Sequence, residues 1–188
     1  MAHICPWQHV WTFDNVFRPF IHNPAKMFSP FVAPGARVLD LGCGAGFASL
    51  GLARLVGDAG SVVAVDLQPE MLEILGRRAA RKGLQERIVP VLCQPGTLNL
   101  TGSFQFANAF FMVHEVPEPR KFFQEIYDHL VPGGRLFVAE PAFHVTKKRF
   151  NAMRVTASEV GFAIVDRPRV RFSHAVVLGR PGTSPSLH

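Results

Sequence analysis

Cysteine is scarce: only Cys5, Cys43 and Cys93 occur among 188 residues. Three thiols so far apart cannot build the disulfide framework of a small secreted domain. Long hydrophobic runs are missing too. No stretch approaches the ~18–20 consecutive apolar residues that cross a bilayer. The first 20 residues lack a basic start followed by an apolar stretch, so no secretory leader is expected of them. Tyrosine occurs once, and acidic residues are outnumbered, 14 against 20 Lys and Arg, for a formal charge of +6. The expectation is a cytoplasmic, water-soluble chain with reduced thiols.

What is present argues for a folded domain. Apolar residues make up 48% and charged residues 18%, which excludes intrinsic disorder. The length suits one domain of ~100–200 residues. Phenylalanine is abundant at 17 residues, which implies a greasy core and pocket. The charge is lopsided. Residues 1–76 carry four basic and six acidic side chains, and residues 77–188 carry sixteen and eight. Such an imbalance can attract phosphates or an anionic surface. The plainer reading is a solvated face outside the core.

Residues 1–34 form an irregular, aromatic-rich segment. Pro6, Pro19, Pro24, Pro30 and Pro34 permit only short helices, about 11–17 and 24–31. From residue 35 to 180, short β-branched or aliphatic runs alternate with helical stretches, as in a parallel sheet with crossover helices. Strands are expected at 37–41, 61–65, 88–92, 104–111 and 135–139. Helices are expected at 46–56, 69–82, 119–130 and 146–160, with Pro132-Gly133-Gly134 as a tight turn. Runs at 162–170 and 173–179 read as an antiparallel pair, and 181–188 as a loose tail. The predicted fold is α/β: a Rossmann-like, mostly parallel seven-stranded sheet with helices on both faces and a C-terminal antiparallel hairpin.

The informative stretch is Asp40-Leu41-Gly42-Cys43-Gly44-Ala45-Gly46, between a buried strand and a helix. Glycines there let a ligand approach the backbone, and the helix N-terminus favours a carboxylate or phosphate. Asp66 ends the second strand, twenty residues after Gly46. A carboxylate at that place accepts hydrogen bonds from a ribose diol, and Leu67 beside it offers an apolar wall to a base. The bland alternative is an Asp that caps a helix. Dinucleotides and S-adenosylmethionine both fit the pair. The dinucleotide fingerprint wants a third glycine where Phe47 stands, and Asp40 suits the ammonium of an amino-acid ligand.

These residues resemble the class I S-adenosylmethionine-dependent methyltransferases over about 35–180. Val38-Leu39-Asp40-Leu41-Gly42-Cys43-Gly44-Ala45-Gly46 is similar to the family's first motif. Val65-Asp66-Leu67 resembles its acidic second-strand end, and Leu130-Val131-Pro132-Gly133-Gly134-Arg135-Leu136 resembles its lead-in to strand five. Phe111-Met112-Val113-His114-Glu115-Val116-Pro117 resembles the small-molecule branch of methyltransferase type 11 related to quinone biosynthesis. Cys5-Pro6-Trp7 and Ala139-Glu140-Pro141 resemble an uncharacterised prokaryotic subgroup. The resemblance implies a cofactor site of Asp40, Gly42, Cys43, Gly44, Gly46, Asp66, Leu67 and Gln94. The family's acidic residue after strand three is absent, and Cys93-Gln94 stands there; a Gln oxygen can still accept from an amino group. No Asn-Pro-Pro-aromatic run follows strand four, which disfavours nucleic-acid bases as acceptors.

Methyl transfer needs alignment, exclusion of water and, for some acceptors, removal of a proton. His114 and His144 are the candidate bases, with loop orientation as the alternative role for His114. Trp7, Trp11, Phe13, Phe111 and Glu140 are candidate acceptor contacts, the first three on a segment that could cover the cleft. His3, Cys5 and His9 are metal-capable types, but no metal site is expected. Arg77, Arg78, Arg81 and Lys82 are expected to face solvent. The implied function is methylation of a small, apolar or aromatic acceptor at oxygen or carbon by a monomer or homodimer, without nucleic acid and without a membrane span. The alternatives are a non-catalytic cofactor-binding subunit, an RNA or protein methyltransferase, and a nicotinamide-dependent oxidoreductase.

Overall fold

The computed structural model describes residues 21–182. The predicted helix at 11–17, and Trp7, Trp11 and Phe13, lie outside the described residues. The elements run α1 (Pro24–Phe28), β1 (Arg37–Leu41), α2 (Phe47–Val56), β2 (Ser61–Asp66), α3 (Pro69–Ala80), β3 (Ile88–Leu92), β4 (Phe104–Phe110), α4 (Pro119–His129), β5 (Leu130–Pro141), α5 (Lys147–Val160), β6 (Ala163–Asp166) and β7 (Ser173–Gly179). One seven-stranded sheet has the order β3-β2-β1-β4-β5-β7-β6. All neighbours are parallel except β5–β7 and β6–β7.

Alternation along the central strands feeds two cores. Val38, Val62, Ala64, Phe106 and Phe137 face α1, α2 and α3, where Leu52, Leu75 and Ala79 meet them. Leu39, Leu41, Val63, Val65, Leu136 and Val138 face α4 and α5, through Phe122, Phe123, Ile126, Phe150 and Ala157. Strands buried on both faces read as continuous aliphatic runs, which is why the middle of the sheet was legible. The edges differ: β3 contains Pro90, tolerated where no further strand needs its missing N–H, and β6 is exposed along its length.

The aromatic segment is partly core. Phe28 is fully buried against Phe106 and Phe137, and Phe31 stacks parallel to Phe106. Burying one such ring contributes roughly 2–3 kcal/mol. Pro24 packs where Gly51 of α2 has no side chain; a Cβ there would lie 2.3 Å from the Pro24 Cβ.

Several boundaries move. α1 stops at Phe28, because Pro30 has no N–H and disfavours helix before it. β5 starts at Leu130, so the predicted Pro132-Gly133-Gly134 turn is an irregular stretch of the strand. Its Gly133 N–H donates to the Arg180 carbonyl, and the Arg180 N–H donates to that of Gly134. β6 ends at Asp166 rather than 170, where the Asp166 carboxylate accepts from the Arg167 N–H and Pro168 follows.

Candidate functional site

The strand order reverses between β1 and β4, and a crevice opens beyond their carboxyl ends, the usual ligand position in such a sheet. A cavity of about 770 Å³ lies there. That volume suits a small-molecule or cofactor site.

The glycine turn forms one wall. Gly42, Gly44 and Gly46 all have positive φ, at 59°, 51° and 90°. Their surroundings separate their tasks. A Cβ on Gly44 would meet nothing within 4 Å, so this is the residue over which a ligand can sit. A Cβ on Gly42 would strike Met112 at 2.9 Å. One on Gly46 would strike Leu75 of α3 at 2.3 Å. Gly46, expected to touch the cofactor, packs against Leu75 and is not among the residues lining the cavity. Arg78 also departs from expectation: its guanidinium donates to the Ala45 carbonyl at 3.0 Å and braces the turn from α3.

Asp66 organises the same turn. The Gly44 N–H donates to its Oδ2 at 2.8 Å, and the Gln68 N–H to its Oδ1 at 3.0 Å. The capping role and the ligand-facing position thus coexist, since a carboxylate has about four acceptor sites. Burial raises its pKa against the pull of those N–H groups. Leu67, partly exposed, and Gln94 both line the cavity. Beyond Gln94, Glu125 of α4 accepts from the Leu98 N–H at 2.8 Å and pins the loop.

Asp40 lies deeper, on the face of β1 beneath α2. Ser49 Oγ donates to its Oδ2 at 2.5 Å and Asn108 Nδ2 to its Oδ1 at 2.7 Å. Burial pushes its carboxyl up to about 6, although both hydrogen bonds oppose this. Asn108 stands opposite Asp40 in the β1–β4 register, and its Oδ1 is buried with no hydrogen-bond partner. The Asp40 carboxylate has two donors, but the Asn108 Oδ1 beside it has none, and an ammonium group would supply one. Ser49 and Asn108 were missed in the sequence. Asn108 did leave a signal, a polar residue inside the apolar run of β4. Cys43 and Cys93 also line the cavity. Burial pushes the Cys43 thiol well up and that of Cys93 up to about 11, so neither is a thiolate nucleophile.

The opposite wall carries the titratable pair. A short 3₁₀ turn, Val113–Glu115, follows β4. His114 Nδ1 is 2.5 Å from Glu140 Oε2, and its backbone N–H donates to Glu140 Oε1 at 3.2 Å. The His144 ring meets that of His114 edge-on, with centroids 4.8 Å apart. Burial pulls the His114 pKa down, but the Glu140 hydrogen bond and charge, joined by Glu115, outweigh it and hold it above its ordinary value. Glu140, expected to contact the acceptor, is instead buried behind His114 and does not line the cavity. His114, His144 and Phe111 do line it. Phe111 has φ +64°, a strained value for a bulky residue, and its ring stacks on Phe110 at 4.1 Å. His22, also missed, packs edge-on against both rings and donates from Nε2 to the Arg171 carbonyl at 2.8 Å.

A sheet of this order, with a glycine turn, an acidic second-strand end and an orphaned buried amide oxygen, has the layout of a nucleotide-cofactor-binding α/β protein. Residues 38–134 match the family model described as methyltransferase domain, and the chain belongs to that family, the class I S-adenosylmethionine-dependent methyltransferases. Its cofactor is S-adenosylmethionine. A ubiquinone biosynthesis O-methyltransferase of Xanthomonas axonopodis pv. citri (strain 306) is 32% identical over 134 residues, covering 69% of this chain and 54% of that protein. Its counterpart in Xanthomonas euvesicatoria pv. vesicatoria (strain 85-10) is 33% identical with the same coverage. The chain thus spans about half the length of these curated relatives. A methyltransferase from Aquifex aeolicus superposes with a TM-score of 0.85 at 23% identity, over 94% of this chain and 100% of that one. The cyclase SpnF shares the fold at a TM-score of 0.70 and 20% identity, over 85% of this chain and 81% of its own. The fold alone therefore does not dictate the reaction.

Proposed function

We propose that the chain methylates a small, apolar or aromatic acceptor at oxygen or carbon, in the cytoplasm, as a monomer or homodimer and without nucleic acid. When bound, S-adenosylmethionine supplies a methyl group on a sulfonium leaving group. Asp40 and the orphaned Asn108 Oδ1 hold the ammonium. Gly44, with Gly42 and Cys43 beside it, admits the methionine half against the backbone. Asp66 takes the ribose diol, and Leu67 and Gln94 flank the base.

The observation that carries the catalytic reading is the His114–Glu140 pair at the cavity wall. Glu140 engages Nδ1, fixing that nitrogen as the donor and leaving Nε2, 3.9 Å from Glu115 Oε1, as the basic nitrogen. His114 Nε2 accepts the proton that the acceptor's hydroxyl or acidic carbon loses as it gains the methyl group. Glu140 stabilises the resulting imidazolium. His144 packs the His114 ring in place, and Phe111 offers an apolar face to the acceptor. Trp7, Trp11 and Phe13 remain proposed acceptor contacts.

The test is turnover by the isolated chain with labelled S-adenosylmethionine on a panel of phenols, quinols and amines. Transfer to phenols or quinols is expected. Calorimetric binding of the cofactor with no transfer to any acceptor would instead support a non-catalytic subunit. Salt-sensitive RNA binding with label in RNA would support a nucleic-acid methyltransferase.

A further inference from the structure

The loops beyond β5 and between β6 and β7 meet beside the cavity. The Ala142 N–H donates to the Phe172 carbonyl at 2.9 Å, which sets Phe143 and Phe172 on one rim. Both rings stand in water, at 80% and 60% exposure, and Phe143 also lines the cavity. Phe172 has φ +56°, a conformation costly for an aromatic residue, and the Arg171 guanidinium lies 5.0 Å from its ring. Two bulky aromatics presented to solvent, one on a strained backbone, are not explained by packing.

The charge around them is one-sided. Segments 141–149 and 166–174 hold Lys147, Lys148, Arg149, Arg167, Arg169 and Arg171, against the single carboxylate of Asp166. All six cations are exposed, and none has an ion-pair partner among the described residues. Three of them occupy the first turn of α5, where the helix dipole disfavours positive charge. Part of the basic excess of residues 77–188 is therefore gathered at the cleft end, not spread over a solvated face.

We infer that this rim is a docking surface for an anionic lipid bilayer. Aromatic rings that enter the headgroup–acyl boundary, ringed by Lys and Arg that meet anionic headgroups, are the chemistry of a reversible interfacial contact. Charge complementarity names the occupant: the rim is cationic and greasy at once. An apolar partner protein would not need six cations, and a nucleic acid, whose bases can also stack on exposed rings, is distinguished by retention on RNA. Docked in this way, the cavity opens toward the membrane, and an apolar acceptor dissolved there can enter without crossing water. The contact lies on the surface and involves no spanning helix; among the described residues none is long and apolar enough.

The experiment is cosedimentation of the full chain with vesicles of phosphatidylcholine alone and of an equimolar phosphatidylcholine–phosphatidylglycerol mixture. Binding to the anionic vesicles, weak binding to the neutral ones and release by high salt are expected. Phe172→Gly removes the ring at a backbone position that glycine prefers, so folding is not at stake. That change, or Arg167→Glu with Arg169→Glu, lowers the partition coefficient about tenfold or more. Calorimetry with S-adenosylhomocysteine on the same variants should be unchanged, which separates loss of docking from any failure of the cofactor site. Absence of vesicle binding, equal binding to both vesicle types, indifference to both sets of changes, or retention by RNA instead of vesicles would each overturn the inference.

Discussion

His114 and Glu140 meet across 26 residues of sequence, imidazole Nδ1 against carboxylate Oε2 at 2.5 Å, with His114 on the cavity wall and Glu140 behind it. His114 comes from the turn after β4 and Glu140 from the end of β5, strands that are neighbours in the sheet. The parallel register alone brings them together.

The first prediction concerns pH. The His114 pKa lies above its ordinary value, so the basic form is lost as pH falls through that raised value. Methyl transfer should decline on the acid side of a pKa above 6.5. Glu140→Gln removes the carboxylate that sustains the shift and moves this limb to lower pH. His114→Gln should lower kcat about 10²–10⁴-fold with little change in cofactor affinity. A pH–rate profile for the three proteins, with cofactor binding measured in parallel, decides it. An acid limb that stays in place in Glu140→Gln would remove His114 from the proton-transfer step.

Asp40 should trade stability for binding. Its carboxyl is raised from 3.8 to about 6, so the folded state holds the proton more tightly than the unfolded state does. The ligand-free chain is then most stable, as far as this group is concerned, below pH 3.8, and loses stability as pH rises through about 6. Ionising Asp40 costs on the order of 3 kcal/mol above that pH. Asp40→Asn should therefore stabilise the ligand-free chain at pH 7.5, by at most that amount, while sharply weakening S-adenosylhomocysteine binding. Chemical denaturation at pH 5 and 7.5 reads the first effect, and calorimetry the second.

Asp66→Ala strips the turn of the acceptor for two backbone N–H groups, those of Gly44 and Gln68. A loss of about 1–3 kcal/mol of stability is expected, with the fold retained. Binding of S-adenosylhomocysteine should fall below detection. Calorimetric heat equal to wild type would sink the assignment of Asp66 to the ribose.

A packing prediction is independent of chemistry. Alanine is normally the better helix residue by about 1 kcal/mol, yet Gly51→Ala should destabilise the chain, because its Cβ would enter the space of the Pro24 Cβ. Pro24→Gly, which deletes that carbon, should reverse the sign of the Gly51→Ala effect. A double-mutant cycle in denaturant measures the coupling.

Different parts of this molecule were legible to different degrees, for physical reasons. β1, β2 and the glycine turn were readable because buried parallel strands and positive-φ turns each impose a local residue pattern. Asp66 was readable because it sits at a fixed distance from that turn. Asn108 was not, since its partner Asp40 is set by strand register across 68 residues. Arg78 lies on a helix whose exposed appearance in sequence hides one side chain turned back to the Ala45 carbonyl. Phe28 and Phe31 complete the core beneath Phe106 and Phe137, but proline breaks the periodicity that would show it in the sequence. Nothing in the sequence around Gly46 says that Leu75 fills the space beside it.

The sheet order also bears on how the chain reaches this state. β7 follows β6 in sequence, yet it sits inside the sheet, between β5 and β6. Until residues 173–179 leave the ribosome, the long edge of β5 has no partner, and β6 has no strand to join. An emerging chain can assemble β1 through β5 early, but it carries a bare apolar edge on β5 until β7 is available to pair with it. A nascent chain stalled just before Ser173 should therefore be prone to aggregate through the open edge of β5.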